Sequence, residues 1–550
     1  MMSVSNGRSF VRALVLAAVV VASASAAKLG CPATALPNTP EEAAYQKKLS
    51  AQFLGHWEGD PFTPIDEAFE GLSAQVGVAP DVLRYFLGCL SCYVLAVFHS
   101  FIPDRNADVK HAYSLICGLT LSWISFGVNT LIPLGSSLLV FYICKYVKSR
   151  YTPAIVFFVA MGLSSGCHVY RLFIDYGGYT LDVSGPQMII TIKLTSFAWN
   201  CYDHGKKQDK YKHRVASAVD IDNTPLLHFL SFIFFFAGYL AGPGFEFQEY
   251  VRFTNGKLFE SDPEGKPSLL SRVIPSMYSF LTGIFHMGVM LTLSKQFDPF
   301  SLLCDSFDTV PVYKQILLIY VSVALTRAKY YCIWNIADGA MVLSGFGYNG
   351  RDAKTNQVKW DRMVNAHIFR VEAGESVREA INSWNIKTSM WLRKYSYERL
   401  LENNYSQAIS QYVTMLVSGF WHGFYGGYYL TFGFGAYLQQ IGKSLRGALR
   451  PIFEDSASAK TPFWYNTGGR VLTALMLNWC TVSFMLVDSA NAFKVWKSAS
   501  YVGFGFCLLT QFGLFALKST SWHRAKAKAY KALVAERRAK KRAAAEKKTQ

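Results

Sequence analysis

A chain of 550 residues would ordinarily divide into several soluble domains, but 51% hydrophobic, 15% aromatic and only 17% charged residues describe one continuous membrane body. The formal charge of +18 suggests a nucleic-acid partner until its location is read. From His523 onward eleven Lys or Arg stand against two Glu, so half of the excess lies in one tail, and no nucleic acid is expected.

The N-terminus carries Arg8 and Arg12, an apolar core from Ala13 to Ala22 and the small-residue sites Ala22-Ser23-Ala24 and Ala24-Ser25-Ala26. Residues 1–27 therefore read as a signal peptide or an uncleaved N-terminal anchor, and 28–80 as a polar lumenal leader. Apolar stretches follow near Val82 to Ile102, Tyr113 to Val147 (counted as two), Pro153 to Ile174, Pro186 to Trp199, Leu226 to Ala241, Ile274 to Leu293, Val310 to Ile333, Ala408 to Leu438, Val471 to Val487 and Tyr501 to Leu517. Runs such as Leu227 to Ala241 hold no charged residue, which a soluble surface helix would hardly manage. The pattern predicts an all-α, polytopic membrane protein with about ten or eleven membrane segments spanning residues 82–517. Segments interrupted by Gly and Pro, as at Ala241-Gly242-Pro243-Gly244, are candidates for re-entrant ones, tolerated only where protein or a water-filled cavity surrounds them. Residues 518–550 form a basic tail, a pattern that marks the cytosolic face, where anionic lipid attracts it. Most of the eleven cysteines lie singly in apolar runs and read as core packers. Cys89 and Cys92 have metal-like spacing but no further ligands in obvious reach, so no metal site is expected.

Five histidines lie in or beside apolar runs: His99, His168, His228, His286 and His422. An ionisable group inside a membrane is a functional candidate, although one bonded to a backbone carbonyl is also ordinary, and burial selects none of the five. His422 stands out by its neighbours. Gly419, Gly423 and Gly427 recur every four residues, with Gly426 near the same face, and would form a stripe that lets another backbone approach closely. A second constellation runs from Asn382 to Tyr395. Trp384, Thr388, Trp391 and Tyr395 fall at helical spacing and suit an interfacial aromatic face, while the adjoining Asn385 can offer an amide donor to developing negative charge.

With these residues the sequence resembles the membrane-bound O-acyltransferase family, and within it the lysophospholipid acyltransferase branch. The resemblance runs from about Val82 to Leu517. Trp421-His422-Gly423 with Gly427-Tyr428-Tyr429 is similar to the family's histidine motif, and Trp384-Asn385 with Thr388 and Trp391-Leu392 to its asparagine motif. Phe197-Ala198-Trp199-Asn200-Cys201-Tyr202-Asp203, Gly242-Pro243-Gly244-Phe245-Glu246-Phe247 and the stretch from Tyr330 through Asn335 to Gly347 are similar to the phospholipid branch. Gly426 stands where many members have proline, and Asp338 where an acidic residue, often Glu, is usual.

The resemblance implies helices around a buried catalytic chamber in which His422 acts as general base on the free glycerol hydroxyl of a lysophospholipid, whose oxygen attacks the thioester of acyl-CoA, the co-substrate. A histidine suits the role because its ordinary pKa lies near neutrality. Asn385 would position substrates or stabilise the oxyanion, and the motifs place Trp384, Thr388, Trp421, Tyr428, Asp338 and Asn335 at substrate-binding positions. No cofactor or metal is needed, since the thioester is already activated. Membrane lipids are the other partners. Lys547-Lys548 near the C-terminus resembles an endoplasmic-reticulum retrieval signal, implying a multi-pass protein of that membrane. Three alternatives stay open: transfer to a sterol, diacylglycerol or protein; a transporter; and a hydrolase at Gly162-Leu163-Ser164-Ser165-Gly166, whose apolar run lacks the strand-to-helix turn that exposes such a serine.

Overall fold

The computed structural model describes residues 63–546 except 77, 179, 206–211, 295, 455–457 and 459. The predicted signal or anchor segment, most of the leader and Lys547-Lys548 lie outside the described residues. Regular structure among those residues is helical, apart from a single bridge between Arg351 and Val358. In chain order the main helices are α1 (Thr63–Val76), α2 (Pro80–Phe101), α3 (Ala107–Phe126), α4 (Leu131–Tyr146), α5 (Thr152–Ile174), α6 (Ser184–Tyr202), α7 (Leu226–Ile233), α8 (Phe247–Thr254), α9 (Leu269–Leu293) and α10 (Val312–Ser344). They continue with α11 (Val377–Ser383), α12 (Ile386–Leu392), α13 (Gln407–His422), α14 (Gly426–Phe453), α15 (Phe463–Met485), α16 (Ser489–Ser498), α17 (Val502–Ser519) and α18 (Ser521–Glu546).

Among the described residues, six stretches are long and apolar enough to cross a bilayer: α2, the α3–α4 pair, α5, α9, α10 and α17. Of these, α9 and α17 differ from α10 in what their apolar residues face. On α9, Leu270, Ile274, Tyr278, Leu281 and Phe285 are exposed, and on α17 so are Leu508, Leu509, Phe512 and Phe515. An aqueous surface would not hold such faces, and a hydrocarbon one does. At 33 residues, α10 is about 50 Å long. It lies along α9 because glycines open the contact: a Cβ on Gly283 would stand 2.9 Å from the Cys332 carbonyl oxygen, and one on Gly339 2.9 Å from that of Ser276. Close approach of small residues is how helices gain packing where no hydrophobic driving force separates them from lipid.

The other predicted segments take different forms. α6 covers Pro186 to Trp199 but is buried almost all round and carries Lys193 inside, whose ammonium donates to the carbonyls of Phe232 (2.8 Å) and Ile233 (3.0 Å). That explains why Leu226 to Ala241 is no continuous span. Helix α7 stops at Ile233, Lys193 takes carbonyls the helix end leaves open, and the chain turns through Phe234 and Phe235 inside a buried aromatic cluster. The turn fits because Gly118 of α3 has no side chain: a Cβ there would sit 1.6 Å from the Phe234 carbonyl oxygen. Gly118→Ala should destabilise the protein by about 1–3 kcal/mol, the usual cost of overpacking, read as a lower midpoint of thermal unfolding in detergent.

The tail forms α18 and docks back on α14. His523 Nε2 donates to the Ala448 carbonyl (3.0 Å), and Tyr530 and Arg537 both reach Glu454 (2.8 Å each). Nine described cysteines are free, as core packers would be, but Cys304 is disulfide-bonded, a state that persists in oxidising surroundings.

Candidate active site

The glycine pattern around His422 predicts one continuous stripe, and the structure corrects it. Helix α13 ends at His422 because Gly423 adopts φ +118° and ψ −159°, a conformation that side chains rarely permit. The chain turns through Phe424 and Tyr425 and restarts as α14 at Gly426. The four glycines therefore do separate jobs. A Cβ at Gly419 would meet the Tyr429 ring at 3.4 Å, Gly423 makes the turn, Gly426 faces Ser489, and Gly427 lies against the backbone of Ser483 and Val487. Spacing of four residues was coincident with helical periodicity, but a positive φ interrupts the helix that would have aligned them.

This break places the imidazole at a helix end between two other helices. Its ring stacks on Phe432 of α14 (centroids 5.1 Å apart) and meets Phe484 of α15 edge-on (5.1 Å), with Tyr428 at 5.9 Å. From behind, His168 of α5 donates through Nε2 to the Trp421 carbonyl (3.2 Å) and packs against Gly423. The remaining three histidines are spent elsewhere. His99 stacks on Phe253, His228 bonds Asp108 (2.7 Å), and His286 bonds the Thr282 carbonyl (2.8 Å).

His422 lines a cavity of about 230 Å³ together with Trp384, Asn385 and Thr388, so four of the predicted site residues converge there. Asn385 caps α12 in a left-handed conformation (φ 44°). Its side-chain orientation follows from a chain of bonds beginning at Asn365, which is buried. The Lys387 backbone N–H donates to Asn365 Oδ1 (3.1 Å), so Asn365 Nδ2 is the half that donates to Asn385 Oδ1 (3.1 Å). The Asn385 amide nitrogen is the half left for the cavity.

The other four predicted residues stand back from the cavity. Trp421 is buried on the far side of α13, donating to the Met188 carbonyl (2.9 Å). Tyr428 stacks on Phe484 (4.4 Å), one layer behind His422. On α10, Asn335 donates to the Tyr331 carbonyl (2.7 Å), and Asp338 accepts from Ser279 (2.9 Å) in the contact with α9. The predicted aromatic face of Trp384, Thr388, Trp391 and Tyr395 is not an interfacial belt. Thr388 and Trp391 are buried, Trp384 packs on Trp334 (4.9 Å), and Trp391 donates to Thr195 (2.9 Å).

Three motifs far apart in sequence meet around Glu246. Asn200 donates to Glu246 (2.9 Å), as do Tyr395 and Lys394 (2.9 Å each), and Arg399 pairs with Asp203. Burial works against the charge on Lys394, but the Glu246 carboxylate overrules it and lifts the ammonium above the usual lysine value. On Lys387 burial prevails over the attraction of Glu249, and its pKa is lowered.

The model of the membrane-bound O-acyltransferase family matches residues 172–487, more than half of the chain, and contains His422, Asn385 and the helices that carry them. The chain belongs to that family. It is 30% identical over 450 residues to a lysophospholipid acyltransferase of Schizosaccharomyces pombe, covering 80% of this chain and 87% of that protein. It is 29% identical over 498 residues to a lysophospholipid acyltransferase of Saccharomyces cerevisiae (84% and 79%). With the membrane-bound glycerophospholipid O-acyltransferase 2 of Rattus norvegicus it shares 30% over 452 residues (78% and 84%).

Within this membrane-bound O-acyltransferase, two groups at the cavity escaped sequence reasoning. Asn365 lies in a polar loop with no pattern to mark it. Arg327, Glu372, Tyr331 and Asn478 form a network of which Arg327 and Asn478 line the cavity. Arg327, one of three basic residues with Lys314 and Lys329 in the otherwise apolar run Val310 to Ile333, was its available signal. Asn365→Ala should slow acyl transfer by about tenfold while the protein stays folded, since it removes about 1 kcal/mol or more of bonding that orients Asn385. Initial rates beside a gel-filtration profile check this.

Proposed function

We propose that the protein transfers a fatty acyl group from acyl-CoA to the free glycerol hydroxyl of a lysophospholipid. The observation that carries this is the convergence of His422 and Asn385 on one cavity within a helical membrane body. In the reaction, His422 takes the hydroxyl proton as the glycerol oxygen attacks the thioester carbonyl. The Asn385 amide donates to the oxygen that becomes negative. The intermediate then collapses, the carbon–sulfur bond breaks, and coenzyme A leaves as a thiol with the proton returned from His422. No metal or cofactor enters, because the thioester supplies the activation. The names of the relatives favour a phospholipid product over a sterol ester, triacylglycerol or acylated protein.

We place the protein in the endoplasmic reticulum membrane, with the basic tail cytosolic. Ten or eleven segments enter the bilayer when the buried and broken ones are counted with those that cross it. Labelled acyl-CoA donors offered to expressed membranes against a panel of lysophospholipids, sterol, diacylglycerol and a peptide serve as the test. Diacyl phospholipid is the expected product. Ester formation only on a non-phospholipid acceptor, or solute flux without acyl-CoA turnover, would overturn the reading.

A further inference from the structure

A lysophospholipid brings a phosphate into the chamber only a few bonds from the hydroxyl that reacts. If His422 reaches that hydroxyl, an anion must be accommodated in the same enclosed space, where an uncompensated charge is expensive. The chamber wall holds one residue of fixed positive charge among the described residues that line it, Arg327 of α10. It sits one helical turn from Tyr330 and two from Trp334, which line the same space.

The bonding of Arg327 leaves it partly unspent. A guanidinium has five N–H donors. Nε donates to Glu372 Oε1 (2.7 Å), Nη2 to Glu372 Oε2 (2.5 Å) and Nη1 to Asn478 Oδ1 (2.7 Å). One N–H therefore remains on each terminal nitrogen. Both neighbours are themselves held: Glu372 accepts from the Tyr331 hydroxyl (2.6 Å), and Asn478 Nδ2 donates to the Ala474 carbonyl (2.7 Å). The guanidinium plane is fixed before a ligand arrives, and the N–H left on each terminal nitrogen can donate to a phosphate oxygen. An ion pair serving only to join helices would gain by lying away from the chamber, because two charges at its wall must be desolvated whenever an apolar chain fills it.

We propose that Arg327 binds a substrate phosphate inside the reaction chamber, and that its source is the headgroup phosphodiester of the acceptor lipid. The inference rests on the acyl transfer proposed above and adds the group by which the acceptor class is read. Sterols and diacylglycerols have no such anion. Glu372 keeps the empty chamber neutral and leaves a carboxylate beside the bound phosphate, where a cationic headgroup can approach it.

The test uses the full-length protein in detergent and two non-reacting acceptor analogues that lack the free glycerol hydroxyl, one with a phosphocholine headgroup and one neutral. For Arg327→Gln, the inhibition constant of the phosphate-bearing analogue should rise by about ten- to a hundredfold, the worth of a hydrogen bond to a charged group, with the neutral analogue within about twofold of wild type. Arg327→Lys keeps the charge beside Glu372 and loses the fork. If the glutamine variant does not fold, the lysine variant should still raise KM for the lysophospholipid several-fold with kcat nearly unchanged. A parallel rise for both analogues, or no rise for either, overturns the proposal. So does a weakened KM for acyl-CoA, but not for acyl-pantetheine, with the acceptor constants unmoved, since the phosphate read would then be the donor's. Wild-type protein that acylates no lysophospholipid sinks the proposed activity and this inference with it, whereas normal transfer with unaltered inhibition constants sinks this inference alone.

Discussion

Replacing His422 by alanine should lower acyl transfer by about 10²- to 10⁴-fold, the usual worth of a positioned general base, while leaving the protein folded. The expectation of a folded variant comes from how the ring is held. His422 closes α13, and its neighbours Phe432 and Phe484 belong to helices that pack on each other through many other contacts. The turn that follows depends on Gly423 and on the bond from His168 to the Trp421 carbonyl, neither of which involves the imidazole. The truncation opens space toward a cavity that already exists, so little packing is lost. Initial rates with labelled acyl-CoA and a lysophospholipid, beside expression level and gel filtration, would measure this. A normally folded variant that retains the full rate would remove His422 from the chemistry.

Gly427→Ala should damage both stability and activity, through backbone and not through chemistry. An added Cβ would stand 2.1 Å from the Ser483 carbonyl oxygen and 2.6 Å from that of Val487. Both are main-chain atoms at the end of α15 and just beyond it, which cannot swing aside as a side chain would. The Gly427 N–H also donates to the Val487 carbonyl (2.8 Å), so separating the elements costs that bond. Overpacking of this kind costs about 1–3 kcal/mol. Because His422 is wedged between Phe432 of α14 and Phe484 of α15, a shift of about 1 Å between those helices would misplace it, at a cost of about 10²-fold in rate. A Cβ added at Gly433, further along α14, would meet nothing within 4 Å, so Gly433→Ala is the control and should behave as wild type. Equal behaviour of the two variants in thermal unfolding and acyl transfer would show that the close contact at Gly427 is not what holds the site.

Local pattern and global packing contributed different parts of this picture. The helical class and membrane body were legible because apolar blocks free of charge can satisfy their backbone bonds only within themselves. His422, Asn385, Trp384 and Thr388 were singled out by the motifs that carry the family resemblance, since composition and spacing left His422 one of five membrane histidines, and the structure adds that the four line one cavity. The glycine stripe misread one thing: periodicity cannot reveal that a glycine has taken a positive φ, and Gly423 ends the helix on which the stripe depended. The form of Leu226 to Ala241 was likewise hidden from local pattern, since its break at Ile233 is stabilised by Lys193 and admitted by Gly118, neither of them in that segment.

What the sequence determined by itself was therefore the solvent the chain is built for, the residue types able to carry the chemistry and the segments on which they sit. Which of those residues share one chamber was decided only in three dimensions. Asn385 takes its orientation from Asn365, 20 residues earlier, and Arg327 is held by Glu372 and by Asn478, 151 residues away. Hydrogen bonds of this reach leave no local periodicity, because their geometry is set by the packing of helices against one another and not by the order of residues along any one of them.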